Sequence, residues 1–231
     1  TDSIPSLLSE ALAVSFDPHV GHDYLEDYNE RYDFYHLKEE RISFGLDYFD
    51  KVTKGGIPNK TLNIALAGTG VGKSLFMCHH ASSVLLQGRN VLYITMEMAE
   101  EKIAERIDAN LLNVNVQELT DLPKVMFEKK VNNVAKKTQG QLIIKEYPTA
   151  TAHVGHFRAL LNELSLKKSF KPDIIFVDYL NICASSRYKG SANINSYTLV
   201  KSIAEELRGL ACEAKVPIVS ATQTTRSGYG S

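Results

Sequence analysis

The sequence predicts an α/β fold: a mostly parallel sheet with helices on both faces, built around a phosphate-binding loop. Three observations carry this. Apolar runs of about five residues alternate with longer segments of helical periodicity. The first core run opens into the stretch Ala67-Gly68-Thr69-Gly70-Val71-Gly72-Lys73-Ser74, and a helix follows it. Three later runs end at, or just before, a polar residue suited to nucleotide chemistry: Glu97, Asp178 and Gln223. Successive strand–helix–strand units close through right-handed crossovers into a parallel sheet, which binds its ligands at the carboxyl ends of its strands.

In order along the chain, residues 1–20, with Pro5 and Pro18, read as linker. Residues 22–40 read as an amphipathic helix, because Tyr24, Tyr28, Tyr32 and Tyr35 recur at helical spacing among charged residues. That aromatic stripe wants a surface, either on its own domain or on a neighbouring subunit. The predicted organisation is a linker segment over 1–40 and a nucleotide-binding domain over 41–231. Gly55-Gly56-Ile57-Pro58-Asn59 marks a turn. Leu62–Leu66 reads as a buried strand and Leu75–Leu86 as the helix after the loop. Val91–Thr95 is a second buried strand, and Ala99–Leu112 a helix with Glu100 and Glu101 in its first turn. Residues 121–138 read as helix with a basic, solvated face. Gln141–Lys145 is the third strand, Thr151–Lys167 a helix, and Asp173–Asp178 the fourth strand. Cys183–Asn195 is a polar loop, Ser196–Ala214 a helix, and Val216–Ser220 the fifth strand.

The glycine-rich stretch carries the most specific chemistry. Closely spaced glycines let backbone N–H groups curl round an anion, and the helix N-terminus adds positive partial charge. Lys73 is placed to reach the β- and γ-phosphates, and the Ser74 hydroxyl to ligate Mg²⁺. The usual pattern, G-x-x-x-x-G-K-[ST], has Gly where this chain has Ala67. At the other strand ends, Glu97 lies between Met96 and Met98. An acid there suits a general base that orients water towards a γ-phosphate, the alternative being a first-turn helix acid. Asp178 ends an apolar strand, where a carboxylate holds Mg²⁺ directly or through water. Gln223 can hydrogen-bond a γ-phosphate and report its loss. Arg106, on the helix after Glu97, is either a surface residue or a neighbour of the nucleotide base. The pairs His79/His80 and His153/His156 lack nearby Cys or acid clusters and do not read as metal sites.

Composition narrows the class. Hydrophobic residues make up 44% of the 231 and charged residues 23%, ordinary values for one globular domain plus an appendage. The formal net charge of −1 excludes a generally basic nucleic-acid binder, so any such contact needs a local patch. Cys78, Cys183 and Cys212 are too dispersed for a disulfide framework or a zinc pattern, which points to a reducing compartment. No apolar run approaches the roughly 18 residues of a membrane span, and no signal peptide is visible. The chain starts at Thr1 rather than Met, as a piece of a longer protein would.

In their order, these motifs resemble the RecA-like motor domain of DnaB-like hexameric replicative helicases, and within that group the bacteriophage T4-type helicases. The resemblance spans roughly residues 40–223. Its carriers are residues 90–101, Arg106–Asn110, Leu161–Leu164, Val177–Leu180 and Ala204–Arg208. Ala at position 67 also fits that family. The resemblance implies a RecA-like P-loop fold and a hexameric ring that hydrolyses ATP or another NTP with Mg²⁺ at subunit interfaces. It implies 5′–3′ movement on single-stranded DNA, primase and helicase-loader partners, and work in the bacterial host cytoplasm. It assigns Lys73 and Ser74 to phosphate and Mg²⁺, Glu97 to the catalytic base, Asp178 to the metal and Gln223 to the γ-phosphate sensor. It also places a DNA loop after the fourth strand. Here that is Ser185–Asn193, where Arg187, Lys189 and Asn193 suit backbone tracking; a plain flexible loop is the alternative. In that family a further strand or two, a second DNA loop and an arginine finger follow the glutamine motif, whereas this chain stops at Ser231. Because an arginine finger contributes about 10³–10⁵ in rate, this chain alone is expected to bind nucleotide but hydrolyse it slowly. Two other classes share parts of the pattern: a RecA/RadA-type recombination ATPase, and a nucleotide-gated loader or assembly module without unwinding activity.

Overall fold

A computed structural model describes residues 21–68, 70, 72–188 and 195–223. Of the sequence-derived candidates, Thr69, Val71, Lys189 and Asn193 lie outside the described residues, as does the stretch 1–20. Contacts divide the chain into one unit up to Glu39 and another from Glu40.

In the first unit, helix α1 spans Tyr28–His36, shorter than the 22–40 expected. Local aspartates explain the late start. The Asp23 carboxylate accepts from the N–H groups of Leu25 and Glu26, both at 3.0 Å, and Asp27 accepts from Asp23 N at 2.7 Å. These bonds hold a turn in place of the first helical turn. All four stripe tyrosines are exposed. The Arg31 guanidinium lies 4.4 Å above the Tyr24 ring.

The second unit starts with a small hairpin that sequence reading missed. Strand β1 (Arg41–Ile42) pairs antiparallel with β2 (Ile57–Pro58), and helix α2 (Asp47–Val52) lies between them. The expected turn at 55–59 thus contains a strand, because Ile57 is buried opposite Ile42. Asp50 pins the connection by accepting from Phe44 N at 2.8 Å and Ser43 Oγ at 2.6 Å.

The main sheet contains β3 (Leu62–Ala67), β4 (Val91–Thr95), β5 (Leu142–Glu146), β6 (Ile174–Asp178) and β7 (Ile218–Gln223). Its order is β3-β7-β6-β4-β5, all parallel. The helices are α3 (Lys73–Leu86), α4 (Glu100–Leu112), α5 (Val116–Asp121), α6 (Lys124–Ala135), α7 (Val154–Lys168) and α8 (Ser196–Ala214). The helix expected over 121–138 is shorter, Lys124–Ala135 with Pro123 at its N-cap, and α5 before it was not expected. A short 3₁₀ turn, Leu180–Ile182, follows β6.

Alternation along the strands sorts the helices. Val91 and Tyr93 of β4, with Ile174 and Phe176 of β6, pack with Met77, Ala81, Ile103 and Ile107 of α3 and α4. Leu92, Ile94, Ile175 and Val177 face the other way, against Phe157 and Leu160 of α7 and Ile203 and Leu207 of α8. Both faces are therefore covered, as the near-continuous apolar runs of a parallel sheet require. Each such fully buried side chain contributes about 1.5–3 kcal/mol, and Phe176→Ala would cost about 3–5 kcal/mol.

Two strands differ from expectation. The first core strand is not buried. Among the described residues β3 pairs only with β7, and as an edge strand it leaves Ile64 42% and Leu66 68% exposed. The fifth strand is shifted towards the C-terminus. Val216 N still bonds Ala211 O at the end of α8 and Pro217 has no N–H, so pairing with β3 begins at Ile218 and runs to Gln223.

Candidate functional site

The phosphate-loop sequence lies between β3 and α3. Ala67 is the last residue of β3 and is paired with Gln223. A Cβ is harmless in extended backbone, which accounts for Ala in a position where glycine is usual. Gly70 and Gly72 have φ of +75° and +93°, the left-handed region that favours glycine. Gly72 is the N-cap of α3, and no side chain caps it. The first N–H groups of that 14-residue helix are thus left without a capping side chain at the loop.

Lys73, Ser74, Glu97, Arg106 and Gln223 line one cleft of about 340 Å³, together with Gly70, Gly72, Leu75 and Met98. They arrive from four different places in the chain. Lys73 and Ser74 open α3, Glu97 sits in the turn after β4, Arg106 lies in the middle of α4, and Gln223 ends β7. The Lys73 ammonium is 5.0 Å from the centre of the Tyr179 ring. Burial raises the Tyr179 phenol, and the Glu97 and Asp178 carboxylates add to the shift.

Asp178 is fully buried at the end of β6 rather than on the cleft wall. Its Oδ2 accepts from the Tyr93 hydroxyl at 2.8 Å, while its Oδ1 is buried with no hydrogen-bond partner among the described residues. A buried carboxylate oxygen without a donor is costly unless a cation or water meets it. That orphan oxygen, and a serine hydroxyl on the cleft wall, are the donor chemistry a hard divalent cation takes, so the residues present fit Mg²⁺.

Gln223 is fixed by a residue the sequence did not single out. Asn181 Oδ1 accepts from Gln223 N at 3.2 Å and from Thr222 Oγ1 at 2.8 Å. Tyr93 was likewise read only as strand. Asn181 had no signal beyond its place just after β6. Tyr93 had one: a hydroxyl in the middle of an apolar strand needs a partner.

Of the candidate DNA-loop residues, Arg187 is described. It is exposed, yet its Nη1 bonds Glu205 Oε2 at 2.6 Å and its Nε lies 3.9 Å from Glu206 Oε1. Glu206 also accepts from the hydroxyls of Ser185 and Ser186, at 2.8 and 2.9 Å. The His153/His156 pair caps α7, with His153 Nδ1 accepting from Gly155 N at 3.0 Å. His80 is buried against Phe44, their ring centres 4.6 Å apart. No helix among the described residues is long and apolar enough to cross a membrane.

A glycine-rich loop on a helix N-terminus, at the carboxyl edge of a parallel sheet, with a lysine, an acid and a glutamine converging on it, defines a P-loop nucleotide-binding domain of RecA-like architecture. The chain belongs to the DnaB-like helicase C-terminal domain family, which matches residues 42–229. It is 47% identical over 232 aligned residues to the DnaB-like replicative helicase of Enterobacteria phage T4, covering 99% of this chain and 49% of that protein. It is 26% identical to the replicative DNA helicase DnaB of Helicobacter pylori strain J99, covering 83% of this chain and 38% of that one. The chain thus spans half or less of these relatives. Among solved structures, a DnaB-like replicative helicase studied for its interactions with primase superposes with a TM-score of 0.71 at 16% identity, over 99% of this chain and 54% of that one. A second solved structure, of an ATPase domain, gives 0.70, also at 16% identity, over 91% of this chain and 75% of that one.

Proposed function

We propose that this chain is the motor domain of a replicative DNA helicase. It hydrolyses ATP or a related NTP and uses the cycle to move 5′–3′ along single-stranded DNA, unwinding duplex at the fork. The observation that carries the reading is the single cleft shared by the phosphate loop, Glu97, Arg106 and Gln223. Membership of the DnaB-like helicase family supports DNA as the polymer substrate.

In this reading Lys73 and the free N–H groups at the start of α3 bind the β- and γ-phosphates, and Glu97 takes the proton of the attacking water. Gln223 contacts the γ-phosphate, and its loss after hydrolysis is felt through β7. Ser74 and Asp178 would hold Mg²⁺, which when bound screens the phosphate charge that develops during transfer. Arg106 sits towards the nucleotide. Arg187, with Lys189 and Asn193, meets the DNA backbone. The working form is a homo-oligomeric ring, a hexamer, with the site completed by a neighbouring subunit. The α1 tyrosines dock on that neighbour. Primase and a helicase loader are its partners, and the bacterial cytoplasm its setting.

The test is strand displacement on a forked duplex by the full-length protein. Lys73→Ala should abolish unwinding and weaken nucleotide binding. Glu97→Gln should bind nucleotide normally, while hydrolysis falls about 10²–10⁴-fold and unwinding stops. Normal unwinding by Glu97→Gln would refute Glu97 as the catalytic base, and absence of strand displacement by the unsubstituted full-length protein would refute the motor reading in favour of a loader.

A further inference from the structure

The strongest unused feature near the site is Tyr93. It is fully buried in the centre of β4, where its ring stacks on Phe176 of β6 at 5.7 Å and 15° between planes. Tyr93 pairs with Phe176 in the ladder and Thr95 with Asp178, so Tyr93 and Asp178 are diagonal neighbours on one face of the sheet. The phenol oxygen accepts weakly from the Cys78 thiol at 3.8 Å. Its one proton goes to Asp178 Oδ2 at 2.8 Å. A phenol is protonated at neutral pH, so it is a donor here. Packing alone does not call for the hydroxyl. The neighbouring positions on β4 are Leu92 and Ile94, and a phenylalanine would fill the same space.

We propose that Tyr93 is a positioning residue for the metal, tying down one oxygen of Asp178 so that the other, Oδ1, is presented for Mg²⁺. The stack on Phe176 fixes the ring, the ring fixes the hydroxyl, and the hydroxyl fixes the carboxylate plane. The bond divides the labour between the two oxygens: Oδ2 has a donor, and Oδ1 has none among the described residues. Outer partners of this kind commonly change metal affinity about 10–100-fold when removed.

The inference rests on Asp178 being the metal-associated acid, and the experiment separates the two claims. Mn²⁺ binding is followed by loss of the free-ion electron paramagnetic resonance signal, using the full-length protein with a non-hydrolysable ATP analogue. Asp178→Asn should weaken Mn²⁺ binding; if it does not, the assignment of Asp178 falls and this inference with it. Tyr93→Phe should weaken Mn²⁺ binding about tenfold, leave analogue binding without metal unchanged, and have no added effect in the Asp178→Asn background. Unchanged Mn²⁺ affinity in Tyr93→Phe, or an equal loss in both backgrounds, overturns the inference while leaving Asp178 in place. Should Tyr93→Phe not fold, ¹³Cζ-labelled Tyr93 in the otherwise unchanged protein gives the answer. Its resonance should shift when Mg²⁺ joins the bound analogue, and no shift overturns the inference.

Discussion

Ala67 and Gln223 face each other across the β3–β7 ladder, so the strand that feeds the phosphate loop and the strand that ends in the candidate sensor finish in register. The two ends of the cleft are thereby tied by backbone pairing rather than by side-chain contact. In the proposed cycle, a displacement of Gln223 on loss of a phosphate would pass through this pairing to the base of the loop.

The loop glycines should not be equivalent to the alanine that precedes them. Ala67→Gly is expected to leave nucleotide affinity within about twofold, because residue 67 is in strand conformation. Gly72→Ala, forced to a φ of +93°, should cost about 1–2 kcal/mol, visible as at least a fivefold loss of affinity by titration calorimetry.

Asn181 holds the end of β7 through two donors, Thr222 Oγ1 and Gln223 N. Asn181→Ala should destabilise that strand end by about 1 kcal/mol. Nucleotide binding should persist while hydrolysis falls, since the sensor loses its anchor and the phosphate loop does not. A parallel loss of both in steady-state and equilibrium measurements would count against this division.

Arg187 is held by Glu205, so in the proposed function a DNA phosphate would have to displace a carboxylate to reach it. Glu205→Gln is expected to raise affinity for single-stranded DNA. Arg187→Ala should lower it and reduce the slope of log K against log salt concentration by about 1. Fluorescence anisotropy on an oligothymidine across a salt series reads both.

His80 makes acid stability measurable. Burial lowers its pKa from 6.5 to about 4, opposed by nearby Asp50 and the Ser43 backbone and assisted by His79. Among the described residues neither ring nitrogen has a hydrogen-bond partner at normal distance. The unfolded chain therefore takes up this proton more readily than the folded one. The neutral ring's contribution is complete above about pH 6.5 and is lost as pH falls towards 4, at up to about 1.4 kcal/mol per pH unit. His80→Phe should flatten this limb in urea unfolding measured at pH 7, 5.5 and 4.5.

How legible the molecule was depended on whether one segment carried its own pattern. Val91–Thr95 and Ser196–Ala214 match the observed elements residue for residue, because a buried parallel strand and a capped amphipathic helix are local signals. The hairpin of Ile42 with Ile57 was not legible. Two-residue strands carry no periodicity, and their pairing is a tertiary fact. The exposure of β3 was hidden for the same reason: an apolar run does not say how many neighbours it has. The site divided similarly. Lys73, Ser74, Glu97, Arg106 and Gln223 were found by type and position and do share a cleft. Tyr93 and Asn181 touch that chemistry only through Asp178 and Gln223, and such pairings appear when the sheet order is known.

The β3–β7 pairing also governs how the domain is made. Within the main sheet β3 is the first described strand to be synthesised and β7 the last, and each is the other's neighbour at the phosphate loop. Contacts between such distant parts of a chain form late and slowly. The nascent protein should therefore gain nucleotide protection against proteolysis only after Ile218–Gln223 has been synthesised, so that ligand binding becomes a check on formation of this strand pair.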